Sequence, residues 1–490
     1  MALLVSFALY FTNPFFTVLD DETSIITAAN APIVQTLSLF VSGQGQHEHP
    51  PLSDLVLHFW LPIAETSPSV VRVPSILFYA AALVVFATVA RKLSGDAAFY
   101  ATLVVEALWP FGFHFGRMAG WYSFCFLLIA LLTLAYVRFL DAPSWRRWLL
   151  VMGASFALVT SNYFGWAVVA LIGFDAVFVL RDPDRYKYLG SGLIILIVGY
   201  GPLWRVLRGE LYHYGSPGVS STVRSRVLNG GFNLYTLFVS ESVAPWCWRM
   251  SLLAGIAVAI ALGCMILLTS SQGRRFYVGF GILFTVMAAM GVILTKRLLF
   301  ISGWLLVAMG IALANHSKVL ARRLLVGSLA VIAALGWTGI ITRKYYSAQH
   351  FIEPWSIVAD DAARQIGRGE MIISNNPSFL FYLNASLRDS GLLSTEKPEW
   401  AIHPSVVSLL QFPMPTDSLK GKSLFVRGVN TSAPERTASA ERWMLSHCRL
   451  ESTTKLLYDT GFEFKKRYFG INGQDPYRIT LEQFDCGKSK

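Results

Sequence analysis

Charge is scarce in this chain of 490 residues. Only 14% of positions are Asp, Glu, Lys or Arg, where a soluble domain carries about 25%. Hydrophobic residues make up 54%, and the mean hydropathy is +0.49. Together these exclude a soluble protein of this length. Nucleotide-binding signatures are missing too: neither a GxxxxGK[ST] loop nor a GxGxxG turn occurs. There is no internal repeat and no low-complexity segment. The N-terminus lacks the basic region and small-residue cleavage site of a signal peptide, so its apolar run reads as a first helix. Five cysteines are too few for a disulfide framework. Cys125 and Cys264 fall in apolar runs as packing residues and Cys247 reads as unpaired. Cys448 and Cys486 fall in a polar tail where a disulfide can form.

What is present is a series of apolar runs near 1–19, 69–90, 97–115, 118–139, 148–161, 163–180, 188–204, 251–270, 276–295, 298–314 and 320–341. A spanning helix needs roughly 17–25 apolar residues, so the chain reads as a polytopic α-helical membrane protein of about eleven transmembrane helices. Alternate connections carry the bases: Arg91 and Lys92; Arg138, Arg146 and Arg147; Arg181, Arg185 and Lys187; Arg274 and Arg275; Lys318, Arg322 and Arg323. Loop 20–68 has no Lys or Arg at all. The positive-inside bias then puts the N-terminus in the cytoplasm, and loops 20–68 and 205–250 and the tail on the opposite side. The net charge of +11 follows mostly from that orientation and from anionic headgroups. The bases are spread among loops, which gives no support to a nucleic-acid partner.

Residues 1–341 form the membrane domain and 342–490 a soluble domain on the outer side. In loop 20–68, "ETSIITAANAPIVQTLSLFVSG" and "PLSDLVLHFWLPIA" have helical apolar spacing and suit amphipathic helices on the membrane surface. Loop 205–250 is polar and long enough to be a lid or substrate-binding loop. In the tail, "EPWSIVADDAARQIGRG" and "TASAERWMLSHC" read as helices. "EMIISNN", "SLFVRGV", "TTKLLYD", "FEFKKRYFG" and "YRITLEQFD" read as strands, which together suggest a small α/β domain.

Ionisable groups at membrane depth are costly and tend to mark function. Here they gather on the outer side. Asp21 and Glu22 follow the first helix; a carboxylate there can act as a general base, or it can cap the helix that follows. Asp20 suits the capping role. In "HEHPPL" the proline pair presents His47, Glu48 and His49 rigidly. Glu48 and His49 would suit a divalent metal, although His-x-His alone specifies no full ligand set. Arg72, Arg117, Lys296 and Arg297 lie at headgroup level, where guanidinium groups suit phosphate and where long basic side chains also snorkel. Arg224, Arg226 and Arg249 belong to the same class. Glu106 lies inside a span beside Pro110 and calls for a partner such as His114 or an arginine. Asp175 sits near the cytoplasmic end as a structural residue. Outer carboxylates with outer bases fit a lipid-linked phosphate donor whose sugar is attacked by an activated hydroxyl.

The order of motifs resembles the GT-C superfamily of membrane glycosyltransferases, in the bacterial branch related to protein O-mannosyltransferases and aminoarabinose (ArnT-like) transferases. The matching segments are Asp21-Glu22, His49-Pro50-Pro51-Leu52, Arg72 with Pro74 and Ser75, Arg117 with Tyr122, "TSNYF" at 160–164, and "KRLLF" at 296–300. They cover roughly residues 15–315. The resemblance implies a GT-C fold and an inverting transfer of a sugar from a polyprenyl-phosphate carrier, in a bacterial inner membrane. Asp21 would be the base, paired with Glu22. Arg72, Arg117, Lys296 and Arg297 would hold phosphate, and Glu48, His49, Tyr122, Asn162 and Tyr163 would meet donor or acceptor. Two departures stand out: Asn162 replaces a common His, and the Arg117–Tyr122 spacing is longer than the usual form. A lipid-linked sugar transporter would need polar groups at the midplane and broken helices in matching halves; Glu106 alone meets that. A non-catalytic assembly subunit would depend on the tail rather than on Asp21. A reporter fused after Thr342 tests the orientation: alkaline phosphatase is expected to be active there and a cytoplasmic fluorescent fusion dark. The opposite pattern would reverse the topology.

Overall fold

A computed structural model describes all residues except 19, 43–49, 51, 65–66, 181–184, 205–221, 292, 348, 394–402, 410–420, 429–433, 470–475 and 488–490. Each of the eleven apolar runs contains helix, the first as far as Phe11 with a short turn at Asn13–Phe15. In chain order the first helices are α1 Ala2–Phe11, α2 Asp20–Asn30, α3 Ile33–Ser42, α4 Leu52–Ala64, α5 Val73–Ser94, α6 Asp96–Leu108 and α7 Pro110–Phe115. Then come α8 Trp121–Asp141, α9 Trp145–Val159, α10 Gly165–Val179, α11 Arg185–Gly199, α12 Val223–Val239, α13 Trp248–Leu268, α14 Ser271–Ala289, α15 Leu298–Ala314 and α16 Val319–Thr342. Among the described residues five helical stretches are long and apolar enough to cross a membrane: Ser69–Ser94, Trp121–Asp141, Trp248–Leu268, Thr295–Ala314 and Val319–Thr342.

Contacts divide the chain into two units. The first comprises residues 1–11, 28–61 and 72–347; the second comprises 12–27, 62–71 and 348–490. In the first unit α15 is central: every residue from Leu298 to Ala312 is buried. A helix apolar all round belongs in such a position. Its glycines allow close approach, since a methyl on Gly303 would overlap the Phe86 ring and one on Gly310 would overlap Thr102. Trp304 on α15 donates its indole N–H to Thr133 Oγ1 on α8 at 2.9 Å.

Pro110 ends α6, because it has no N–H to offer. Trp109 at the break donates its indole N–H to the Leu237 carbonyl at 2.7 Å. Glu106, just before the break, is buried. Contrary to expectation, its carboxyl oxygens meet no hydrogen-bond partner among the described residues, and His114 Nδ1 instead lies 3.1 Å from Ser240 Oγ. Asp175 behaves as a structural residue: it accepts from Tyr136 Oη at 2.6 Å and lies 3.8 Å from Arg275 Nε.

Two sequence expectations for the connections change. The first amphipathic stretch is two helices, α2 and α3, broken at Ala31–Pro32. The second half of the supposed loop 205–250 is the helix α12. Thr222 caps it, accepting from Ser225 N at 3.3 Å, and it buries Gly230, Asn233 and residues 236–239. Gly230, Asn233 and Thr236 lie in the packing stripe while Val223, Val227 and Leu228 are exposed, and this inverted pattern disguised the helix.

The second unit holds α17 Trp355–Ile366, β1 Met371–Ser374, α18 Pro377–Asp389, β2 Val406–Ser408, β3 Lys422–Gly428, α19 Pro434–His447, β4 Arg449–Tyr458, α20 Phe462–Phe469 and β5 Tyr477–Asp485. The sheet order is β2-β1-β3-β5-β4, with β1 parallel to β2 and β3, and β5 antiparallel to β3 and β4. Side chains alternate across it as strand geometry requires. Ile372, Leu424 and Val426 pack with Trp355, Phe379 and Leu383, while Ile373 and Phe425 pack with Met444 and Phe484. Cys448 and Cys486 are joined, their Cα atoms 4.3 Å apart, and Cys247 is free.

The segment "FEFKKRYFG", read from sequence as a strand, forms the helix α20 over Phe462–Phe469. Asp459 accepts from Gly461 N at 2.9 Å and its carbonyl from Phe462 N at 2.9 Å, which turns the chain into a helix. Glu463 in the first turn and Lys466 and Arg467 in the last complement the helix dipole.

Residues 12–27 are held within this second unit. Thr17 N donates to the Phe351 carbonyl at 3.0 Å, Thr17 Oγ1 donates to the Glu353 carbonyl at 2.5 Å, and Val18 N donates to Tyr382 Oη at 2.9 Å. The Glu353 carboxylate is in turn fixed by Arg478 Nε at 2.8 Å, Arg478 Nη2 at 2.7 Å and the Trp355 indole N–H at 2.7 Å. Both charged side chains are largely buried. Arg478→Ala would remove both guanidinium bonds to that carboxylate, at a cost of about 3 kcal/mol or more. Hydrogen exchange is expected to quicken together at Thr17–Val18, around Glu353 and along β5, with α15 unchanged. Exchange unaltered at Thr17–Val18 would refute the coupling.

Candidate active site

The three adjacent acids open α2, where unpaired N–H groups and the helix dipole favour negative charge. Asp20 and Asp21 lie in its first turn. Glu22 is fully buried, on one stripe with Thr23, Ile26 and Ala29. That i, i+4, i+7 stripe makes Glu22 an inward-facing acid rather than a solvated cap. His47, Glu48 and His49 lie outside the described residues. Among the described residues no group of three His, Cys, Asp or Glu side chains could hold a metal ion.

In the first unit four of the sequence segments meet. Leu52 N, at the start of α4, donates to the Thr160 carbonyl at 3.2 Å, which docks the helix after "HPPL" onto the "TSNYF" turn. Asn162 is buried and its Oδ1 accepts from Phe164 N at 2.9 Å, so the amide builds the turn that presents Tyr163 and Phe164. This gives a structural use for Asn at this position. Phe164 lies under the Arg297 guanidinium at 5.2 Å and packs on Phe300 at 6.0 Å. Lys296 Nζ sits 5.8 Å from the Tyr122 ring centre, and Tyr122 packs on Trp121, which meets Phe300. Two cations therefore rest on two aromatic faces, an arrangement that attracts positive charge without neutralising it.

Arg117 is buried two residues beyond the end of α7. Its Nε and Nη2 each donate to the Phe113 carbonyl at 3.2 Å, and its Nη1 to the Leu9 carbonyl at 3.4 Å. These contacts fasten the end of α7 to α1. Tyr346 lies nearby and its ring packs on His114 at 5.6 Å. Burial pushes the Tyr346 phenol well above its usual range, against the opposing pull of Arg117 and Arg343. Arg72 is buried at the start of α5. Arg224 is exposed, Arg226 donates to the Ala289 carbonyl at 2.7 Å, and Arg249 covers the Trp248 ring at 5.3 Å. These last three serve surface and helix-end roles.

Sequence reasoning passed over Asp54. It lies in the first turn of α4 on the buried face it shares with Leu57, Leu61 and Ala64. A carboxylate in register with the apolar stripe was the available signal. Burial raises its pKa to about 7. His58, one turn on, contacts the Ala29 carbonyl at 2.6 Å and ties α4 to the end of α2.

Comparison with known proteins follows from this arrangement. Residues 48–204 match the family model described as dolichyl-phosphate-mannose-protein mannosyltransferase. No match is found among curated proteins. Among solved structures, apo ArnT from Cupriavidus metallidurans has a TM-score of 0.57 at 12% identity. The same protein bound to undecaprenyl phosphate has a TM-score of 0.56 at 15% identity. In both cases 98% of this chain and 97% of the other are covered. At that identity the likeness establishes the fold.

The raised pKa of Asp54 predicts a pH effect. The group is neutral in the folded state below about 7 and charged in the unfolded state above about 4. Stability from this group is thus complete below its unfolded pKa and lost as pH rises toward 7, by up to about 4 kcal/mol. Thermal unfolding in detergent at pH 5 and pH 8 is expected to show a smaller loss for Asp54→Asn than for wild type. Equal losses would sink the assignment.

Proposed function

We propose that this chain, a GT-C membrane protein related to the protein O-mannosyltransferase and ArnT glycosyltransferases, moves a sugar from a polyprenyl-phosphate donor to an acceptor hydroxyl. The acceptor oxygen attacks the anomeric carbon while the bond from that carbon to the phosphate oxygen breaks, so configuration inverts. Asp21 takes the hydroxyl proton, with Glu22 beside it in α2. Lipid phosphate leaves, carrying the electron pair of the broken bond. Lys296 and Arg297 stabilise the charge that grows on that phosphate, with Arg72 and Arg117 in support. Glu48, His49, Tyr122, Asn162 and Tyr163 contact sugar or acceptor.

The observation that supports this reading is the meeting of "TSNYF", Tyr122 and "KRLLF" at two cations, with Leu52 at the start of α4 bonded to the same "TSNYF" turn. These segments are far apart in sequence and are the ones in which the chain resembles the superfamily. The matches to a mannosyltransferase family and to an undecaprenyl-phosphate-bound ArnT support the same donor class. In this reading the eleven apolar runs cross the membrane, so residues 20–68, 205–250 and the tail lie outside the cytoplasm. A divalent ion held by Glu48 and His49 is part of the proposal only if chelation lowers turnover.

Purified protein in nanodiscs is incubated with radiolabelled polyprenyl-phosphate sugars and cell extract as acceptor source, and release of lipid phosphate is followed. Turnover of one donor is expected. Asp21→Asn should lower it by about 10²–10⁴-fold with donor still bound. Arg297→Gln should lower kcat/KM roughly tenfold or more. Asp21→Asn at wild-type rate would remove Asp21 as the base. Failure with every donor by folded protein would favour a lipid-linked sugar transporter.

A further inference from the structure

A second cavity lies in the first unit, away from the cluster just described. It has a volume of about 490 Å³ and lies between α8, α10 and α14, with Trp304 of α15 in its lining. Its walls are apolar: Ile172, Phe174, Phe178, Val278 and Ile282. Four of these side chains are strongly exposed, Phe178 to 68%. The mouth is polar, with Ser271, Gln272, Arg274, Arg275, Asp141 and Asp175. Both acids there are already engaged, Asp175 with Tyr136 and Arg275, and Asp141 with Lys92. Arg274 is exposed in the first turn of α14, whose N-cap Ser270 accepts from Gly273 N. The helix dipole adds positive character at the same place.

Size and charge together identify an occupant. From Ser271 to Ile282 the groove runs roughly 16 Å along α14, close to the ~15 Å of one leaflet's hydrocarbon. A polyprenyl carrier would overrun that depth, whereas one acyl chain fills it. Basic pockets between helices on the cytoplasmic side suit anionic headgroups. The basic loops put this mouth on that side.

We propose that this groove binds an anionic glycerophospholipid of the cytoplasmic leaflet, with one acyl chain between α10 and α14 against Trp304 and its phosphate on Arg274 and the first turn of α14. The lipid seals the seam between these helices and takes no part in sugar transfer.

The test uses full-length protein in phosphatidylcholine nanodiscs doped with phosphatidylglycerol that carries a diazirine near the end of one acyl chain. After irradiation, labelled peptides are mapped by mass spectrometry. Labelling is expected to concentrate on 171–179 and 276–282. Arg274→Gln should lower it about fivefold. Ile282→Trp, a surface change that fills the groove, should lower it as well, with labelling of other helices unchanged in both variants. Equal labelling by diazirine-bearing phosphatidylcholine would overturn the headgroup assignment. Labelling spread evenly over the lipid-facing helices would overturn the site. Labelling by diazirine-bearing polyprenyl phosphate that phosphatidylglycerol does not displace would overturn the choice of lipid.

Discussion

Much of the second unit depends on one carboxylate that cannot be left alone. The Glu353 side chain is largely buried, and a buried charge is tolerated only when paired and hydrogen-bonded. Arg478 on β5 and the Trp355 indole supply those bonds, while the backbone carbonyl of Glu353 receives Thr17. One residue thus joins the start of α17, the last strand and the segment that leads into α2. The acids Asp20, Asp21 and Glu22 follow that anchored segment directly. A domain that looks like an appendage in the sequence therefore fixes the approach to the chain's most acidic stretch.

The cation–aromatic cluster follows a different logic. Lys296 and Arg297 precede α15, the helix most completely enclosed by its neighbours, so they start from a rigid support. Aromatic faces hold them without cancelling their charge. The "TSNYF" turn supplies one of those faces, and Asn162 shapes the turn with its own amide. Reading Asn162 only as a weakened histidine misses this second use of the side chain.

How much was legible in the sequence depended on which force governed each element. Every apolar run holds helix, because a backbone among apolar side chains must satisfy its own hydrogen bonds. The cysteine pair was visible because both residues sat in the polar tail. Strand alternation in "YRITLEQFD" gave β5 to the residue. The errors lie where local polar chemistry outweighed pattern. In 462–469 the capping by Asp459 and the end charges override an alternating start. In 223–239 buried Asn233 and Thr236 and exposed Val223 and Val227 hid the helical pattern. Asp54 escaped notice because an acid on an apolar stripe reads as a flaw until its burial is seen. Partners across long separations, such as Thr17 with Glu353, leave no local trace at all.

The Cys448–Cys486 bond has a further consequence for β4, α20 and β5, which lie between its ends. With the sulfurs joined, this stretch is a covalent ring. A protease that cuts once inside the ring releases no fragment, because the two new ends stay tethered by sulfur and by the β4–β5 ladder. Nicked protein would run as a single species until it is reduced. Only then would the edge of the sheet be able to leave.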